Sequence, residues 1–152
     1  MGNFKIVDFN DLDEIAQTLV REAVAVRKRA YCPYSNFAVG AALITEDGSK
    51  VYNGCNVENA ALAPSICAER CAVPKAVSEG YTKFSRIAVV AQQEEFTAPC
   101  GFCRQTLREF CASDGDMIIY LSKPNMEKVL CTKLSELLPI SFVTYKENNK
   151  IG

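Results

Sequence analysis

Two short runs, residues 87–91 (IAVVA) and 117–121 (MIIYL), are apolar throughout. A strand with one solvent-exposed face alternates apolar and polar residues, whereas a strand covered by helices on both faces is apolar at every position. The two runs therefore predict the centre of a β-sheet that has a layer of helices on each side.

The segments around these runs have the patterns of helices and shorter strands. Apolar residues recur every three or four positions between Asn10, an N-cap residue type, and Ala30, which predicts an amphipathic helix that Pro33 ends. The dipeptide at residues 47–48 (DG) predicts a hairpin turn. Further predicted elements are strands at residues 37–45, 50–55, 86–91, 117–121 and 128–131, and helices at residues 66–78, 101–112 and 134–138. The predicted fold class is therefore α/β, a three-layer α/β/α sandwich with a mixed sheet of about five strands.

Length and composition limit the number of domains, the binding partners and the catalytic groups that this chain can have. The chain has 152 residues, the size of one domain, and no linker or repeat divides residues 1–152. Lys and Arg number 17 against 18 Asp and Glu, and the net charge of -1 disfavours a nucleic-acid partner. The absence of histidine excludes Ser-His-Asp and Cys-His catalysis and every mixed Cys/His zinc site. A metal site would have to use cysteine or carboxylate.

Three of the eight cysteines have the placement of metal ligands. Cys100 and Cys103 are separated by two residues at the predicted start of one helix, and Cys67 lies at the predicted start of another. A helix N-terminus lowers the pKa of a thiol and favours the thiolate that metals bind. The spacing by itself leaves open a redox dithiol, a closed structural zinc site with Cys71 as its fourth ligand, and a catalytic zinc site.

The residues that follow Cys67 favour the catalytic alternative. Glu69 lies in the first turn of the predicted helix, where its carboxylate can reach the open side of a metal bound by three cysteines and act as acid or base. Arg70 is expected to hydrogen-bond the ligand sulfurs and withdraw part of their negative charge. The plain alternative for Arg70 is a surface ion pair.

These motifs resemble the zinc-dependent cytidine deaminases, in the homotetrameric form whose zinc ligands are all cysteine. The resemblance rests on Cys-Ala-Glu at residues 67–69 followed by Pro-Cys-Gly-Phe-Cys at residues 99–103. Leu62 departs from the pattern, because family members commonly have tyrosine there. The resemblance covers most of the chain and includes residues 34–43, 54–60, 76–80 and 137–142.

The resemblance implies a role for each residue of the site. Glu69 would carry protons between water, the cytosine ring and the departing amine. Asn56 and Glu58 would hold the ribose hydroxyls, and the backbone near Ala68 would bind the pyrimidine edge. The remaining implied residues are the Zn2+ ligands Cys67, Cys100 and Cys103, the cavity aromatic Phe37, and Phe142, which would reach the base from a neighbouring subunit. Without the resemblance, the two phenylalanines would be core residues and the two polar side chains solvated loop residues.

The implied activity is hydrolytic deamination of cytidine and deoxycytidine to uridine and deoxyuridine, in pyrimidine salvage, by a homotetramer. Deamination of another cytosine-bearing nucleoside and a structural four-cysteine zinc module are the alternatives. The N-terminal residues lack the pattern of a signal peptide, so we expect reduced thiols and a cytoplasmic protein. We expect a small nucleoside as the partner, with neither nucleic acid nor membrane.

Overall fold

A mixed β-sheet carries the helices in the computed structural model, which describes residues 3–144. Its strands are β1 (Lys5–Asp8), β2 (Val39–Thr45), β3 (Val51–Cys55), β4 (Phe84–Ala91), β5 (Ile118–Ser122) and β6 (Lys128–Lys133). Its α-helices are α1 (Glu14–Arg27), α2 (Ala68–Ser78), α3 (Gly101–Glu109) and α4 (Leu134–Leu137). The strand order is β1-β6-β5-β4-β2-β3, with β4 and β5 parallel and every other neighbouring pair antiparallel.

Helices cover both faces of the sheet, which confirms the predicted three-layer α/β/α class. On one face, Leu19 and Val20 of α1 pack with Val90 and other buried residues of the central strands. On the other face, Val73 of α2 and Leu107 of α3 pack against the alternate residues of the same strands. The central strands β4 and β5 are therefore buried on both sides, as their apolar runs predict.

The sheet has six strands in the described residues, one more than the sequence analysis predicts. The additional strand, β1, pairs antiparallel with β6 at the edge of the sheet, and its residues are mostly exposed. A four-residue edge strand needs no continuous apolar run, so its sequence KIVD gives little signal.

The first helix begins later than predicted. Asp13, not Asn10, is its N-cap, and the Asp13 carboxylate accepts a hydrogen bond from Ala16 N at 2.8 Å. Asn10 instead lies in a 3-10 turn at Phe9–Asp11, which the buried Phe9 side chain anchors to the core.

One end of the sheet brings two helix N-termini together. β3 and β4 end there, and α2 and α3 begin there after the connecting residues 56–67 and 92–100. Gly54 allows this approach, since a Cβ on it would lie 2.6 Å from both Ala68 O and Ala72 N. The first turn of α2 is thereby seated directly on β3.

None of the helices within residues 3–144 has the length and hydropathy that crossing a membrane requires.

Candidate active site

Three cysteine sulfurs meet at these helix N-termini. Cys67 is the N-cap residue of α2, Cys100 is the N-cap residue of α3, and Cys103 lies in the first turn of α3. Their Sγ atoms all lie within 4.8 Å of one another, and Cys67 Sγ is 3.8 Å from Cys100 Sγ. Within the described part of the chain, this is the one group of three or more potential ligands so close together, and Cys71 is not a member.

The surroundings of the three sulfurs favour negative charge on Cys67. Hydrogen bonds from the Cys103 thiol, from the Arg70 guanidinium and from Cys100 lower the pKa of Cys67 to about 5, against the opposing effect of burial. Arg70 Nη2 donates to Cys67 Sγ at 3.6 Å. The same Cys67 interaction and burial raise the pKa of Cys103, whose proton the Cys67 thiolate attracts. The surroundings therefore stabilise a thiolate at Cys67 in particular.

This donor set fits zinc. Thiolates bind zinc at about 2.3 Å in tetrahedral geometry, which places two ligand sulfurs about 3.8 Å apart. The Cys67–Cys100 separation of 3.8 Å has this value. The positive ends of α2 and α3 and the Arg70 guanidinium offset the negative charge that three thiolates bring to a divalent ion.

Glu69 lies beside the cysteines, in the first turn of α2. Only 4% of its surface is exposed, and within residues 3–144 it is the only buried side chain of an acidic or basic residue. Burial raises the pKa of Glu69, and the neighbouring Cys67 thiolate raises it further. A carboxyl group whose pKa is raised toward neutrality is suited to take up and release a proton at physiological pH.

A cavity of about 250 Å³ opens in front of Glu69. Two of the cysteines, Cys67 and Cys100, form part of its wall. The other lining residues are Phe37, Val39, Asn56, Glu58, Ser65, Ile66, Ala68, Glu69, Val89, Thr97 and Ala98. The cavity therefore combines the sulfurs, a buried carboxyl group, an aromatic ring and two polar residues that the sequence analysis selects.

Asn56 follows β3 and is fixed in the cavity wall by backbone hydrogen bonds. Its Nδ2 donates to Phe37 O at 2.8 Å, and its Oδ1 accepts from Val39 N at 2.8 Å. These two bonds tie the segment that carries Phe37 to the end of β3. One N–H and one lone pair of the amide are still available to a ligand.

Glu58 lies two residues further along and is held by the loop before β2. Its carboxylate accepts hydrogen bonds from the Ser35 hydroxyl, from Ser35 N at 3.2 Å and from Tyr34 N at 3.3 Å. All three donors are neutral, so the Glu58 carboxylate has no ion-pair partner in this contact and contributes negative charge to the cavity mouth.

Of the residues singled out from the sequence as site residues or as departures from the family pattern, Phe142 and Leu62 lie outside both the cavity wall and the cysteine group. Phe142 is 75% exposed, and its carbonyl oxygen accepts a hydrogen bond from Gln105 Nε2 at 2.9 Å. Leu62 is 76% exposed. The fold therefore brings together all the predicted site residues of one chain except Phe142, whose predicted role concerns a neighbouring subunit.

The sequence analysis misses several wall residues, among them Val39, Ser65, Val89 and Thr97. Val39 and Val89 lie on the predicted strands 37–45 and 86–91, at the end where the helices begin. This position in the strands was the sequence signal from which they could have been selected as wall residues. Thr97 lies in the segment before α3 and has no periodic pattern around it. Only the path of that segment over the sheet reveals its place in the wall.

A larger cleft of about 410 Å³ lies at the opposite end of the sheet. Its carboxylates already accept hydrogen bonds within the protein: Glu46 from Ser113 N at 2.7 Å, and Asp116 from Ser135 Oγ at 2.8 Å. These contacts join segments that are 67 and 19 residues apart in the chain. Among the described residues, the cleft holds no group of potential ligands comparable to that of the cysteines.

Comparisons with known proteins agree with the chemistry of the site. Residues 13–120 match the family model for the cytidine and deoxycytidylate deaminase zinc-binding region. The chain is 47% identical over 128 residues to a cytidine deaminase of Sporosarcina psychrophila, covering 83% of this chain and 90% of that protein. It is 42% identical over 133 residues to a cytidine deaminase of Halalkalibacterium halodurans, covering 88% of this chain and 98% of that protein.

Solved structures give the same result for the fold. The crystal structure of cytidine deaminase from Burkholderia pseudomallei superposes with a TM-score of 0.77 at 42% identity, covering 86% of this chain and all of that one (100%). The structure of cytidine deaminase from Mycobacterium tuberculosis superposes with a TM-score of 0.71 at 36% identity, covering 88% of this chain and 100% of that one.

Proposed function

The chain belongs to the cytidine and deoxycytidylate deaminase family, and we propose that it hydrolyses cytidine and deoxycytidine to uridine and deoxyuridine with release of ammonia. The observation that carries this proposal is the buried Glu69 carboxyl group beside three convergent cysteine sulfurs, at the end of a cavity of about 250 Å³. Cavities of about 300 Å³ and above commonly hold small organic ligands, so a nucleoside can enter this one in part while its ribose lies toward the mouth.

Cys67, Cys100 and Cys103 are the residues that would hold zinc. When bound there, zinc supplies the Lewis acidity that makes water an effective nucleophile near neutral pH. Arg70 holds its guanidinium against Cys67 Sγ, which moderates the charge that the sulfurs place on the metal. Glu69 takes a proton from the attacking water on a carboxylate oxygen and gives a proton to N3 of the cytosine ring.

The reaction balances as a hydrolysis. A carbon–oxygen bond forms at C4 of the base, and the C4–nitrogen bond breaks. Glu69 then takes the second proton of the attacking water from the new hydroxyl group at C4 and gives it to the departing amine, which leaves as ammonia, so the carboxylate is regenerated in each turnover. The raised pKa of Glu69 supports this role, because the group must hold a proton between the two transfers.

Asn56 and Glu58 are proposed to bind the ribose. The free donor and acceptor positions of the Asn56 amide and the Glu58 carboxylate face the same cavity as Phe37. Carboxylates and amides form strong hydrogen bonds with vicinal hydroxyl groups. The backbone at Ala68, in the cavity wall between Cys67 and Glu69, is proposed to bind the pyrimidine edge.

We expect a preference for the nucleoside over the nucleotide. The Glu58 carboxylate repels a phosphate at the cavity mouth, and a like-charge interaction across a few ångströms of partly solvated space lowers kcat/KM by about tenfold. The preference for the nucleoside is tested by measuring absorbance loss and ammonia release with cytidine, CMP and a single-stranded oligonucleotide. Glu58→Gln is the matched variant and should narrow the difference between cytidine and CMP. Equal kcat/KM for cytidine and CMP in the unaltered chain would contradict this role for Glu58.

We also propose a homotetramer that functions in pyrimidine salvage in the cytoplasm. Several large apolar side chains of the described residues are exposed, by 76% at Leu62, 78% at Phe102, 92% at Ile140 and 75% at Phe142. Such residues favour burial against further copies of the chain, and Phe142 would then reach the base in a neighbouring subunit. Three reduced cysteine ligands favour a reducing compartment. Sedimentation of the purified protein tests the assembly, and a fully active monomer would contradict the shared site.

A further inference from the structure

The hydroxyl group of Ser35 joins two residues of the cavity wall. It donates its proton to Oε1 of the Glu58 carboxylate, and its oxygen accepts a hydrogen bond from Phe37 N at 3.0 Å. Glu58 and Phe37 both line the cavity, and among the described residues Ser35 is not part of that lining. Ser35 therefore supports the wall without contacting the space that a substrate would occupy.

The orientation of the Glu58 carboxylate depends on this serine. Ser35 N donates to Oε2 at 3.2 Å, and Tyr34 N donates to the same oxygen at 3.3 Å. Both distances exceed the length of about 2.9–3.0 Å that is usual for such bonds, so the backbone alone holds the carboxylate weakly. Within residues 3–144, Ser35 has the only side chain that donates to Glu58, and no Lys or Arg pairs with it.

The loop that carries Ser35 is itself fixed to the end of β3. Tyr31 N donates to Asn56 O at 3.0 Å, and Glu58 N donates to Tyr31 O at 2.8 Å. The serine and the carboxylate are therefore held at a fixed separation by the backbone. A carboxylate has about four lone-pair positions, so these donors leave Glu58 able to accept a hydrogen bond from a ligand.

We propose that Ser35 is a positioning residue for the sugar: its hydroxyl group holds the Glu58 carboxylate in the orientation that accepts hydrogen bonds from the ribose. This inference rests on the proposed function, in which Glu58 binds the ribose, and adds the residue that orients Glu58. A carboxylate that is fixed before binding loses less conformational entropy when the substrate arrives. Only a substrate that has sugar hydroxyl groups gains from this preorganisation.

The test is Ser35→Ala, measured on two substrates that differ in the sugar alone: cytidine and 2′,3′-dideoxycytidine, which lacks both ribose hydroxyl groups. We expect KM for cytidine to rise about three- to tenfold, the effect of losing one hydrogen bond, with kcat changed by less than about twofold. KM for dideoxycytidine should change by less than about twofold, whereas a merely structural role would raise both KM values alike.

The second bond of the Ser35 hydroxyl does not blur this comparison. Ser35→Ala also removes the acceptor of Phe37 N, but that bond is exposed, so water can replace it. Asn56 Nδ2 still donates to Phe37 O at 2.8 Å and keeps the backbone of Phe37 in place. Ser35→Thr retains a hydroxyl group at the same position and should restore KM for cytidine to within about twofold of the unaltered chain.

Ser49→Ala is the matched control. Ser49 Oγ donates to Asp47 Oδ1 at 2.7 Å in the turn between β2 and β3, at the opposite end of the sheet. It loses the same kind of serine–carboxylate bond and should leave both KM values within about twofold of normal. Glu58→Ala should raise KM for cytidine, and adding Ser35→Ala to it should cause no further rise, since the two residues act through one contact.

An unchanged KM for cytidine in Ser35→Ala would overturn the inference, as would an equal rise for both substrates or a further rise in the double variant. Failure of the proposed function is a different result: the zinc-loaded, unaltered chain would show no cytidine turnover. Calorimetric titration with uridine and with 2′,3′-dideoxyuridine measures the contact independently of turnover. Ser35→Ala should weaken uridine binding about three- to tenfold and leave dideoxyuridine binding within about twofold.

Discussion

Glu69→Gln should lower kcat for cytidine by about 10²- to 10⁴-fold, the contribution that a positioned general acid–base group makes to catalysis. Glutamine has the size and shape of glutamate but cannot take a proton from water and pass it on. Since Glu69 is 4% exposed and lies beside the cysteines, a neutral side chain of the same volume should leave the fold and metal binding intact. Steady-state kinetics, zinc content per chain and thermal unfolding are the measurements.

Glu46→Gln is the matched control for this variant. Glu46 lies at the opposite end of the sheet, where its carboxylate accepts hydrogen bonds from Ser113 N at 2.7 Å and Ser113 Oγ at 3.0 Å. The substitution removes the same charge without touching the cavity, so kcat should stay within about twofold of its normal value. Near-normal turnover in Glu69→Gln would remove Glu69 from the mechanism.

Cys67→Ser should reduce zinc content to below about one tenth of the normal value and abolish measurable activity. Serine cannot provide a thiolate, and the loss of a ligand costs more than the 10- to 100-fold that loss of a supporting hydrogen bond costs. The variant also removes the sulfur to which Arg70 donates at 3.6 Å. Zinc is measured by mass spectrometry after dialysis, so the result does not depend on turnover.

Cys71→Ser tests the same cysteine chemistry one helical turn later. Cys71 does not belong to the group of sulfurs that lie within 4.8 Å of one another. Burial raises the pKa of the Cys71 thiol, which favours the neutral form over the thiolate. This variant should therefore keep both zinc and activity. Loss of zinc from Cys71→Ser would indicate a closed site of four cysteines, the structural alternative that the sequence leaves open.

Local patterns were sufficient to predict the central architecture. The apolar runs at residues 87–91 and 117–121 report burial on both faces, which is a property of each strand by itself. The first run lies in the central strand β4, and all but the first residue of the second lie in the central strand β5. The first residue of α1 was harder to predict from the sequence. Asn10 and Asp13 are both N-cap residue types, and burial of Phe9 in the core decides between them. The edge strand β1 depends on pairing with β6, which no local pattern encodes.

The candidate site likewise has features that the sequence predicts and features that depend on the fold. Cys67, Glu69, Cys100 and Cys103 occur in short motifs at helix starts, so the sequence places them at helix N-termini before the fold is known. Their convergence and the cavity in front of them depend on two helices meeting at one end of the sheet. The role of Ser35 could not be predicted from the sequence, since its contacts with Glu58 and Phe37 are a property of the folded chain. The catalytic and binding roles stay predictions.

Zinc K-edge X-ray absorption of the purified protein, loaded with one zinc ion per chain, tests the central claim most directly. The account predicts three sulfur neighbours at about 2.3 Å and one oxygen or nitrogen neighbour at about 2.0–2.2 Å, which is a cysteine site with one position open to solvent or substrate. A shell of four sulfur atoms, or failure of the chain to take up zinc stoichiometrically, would contradict it.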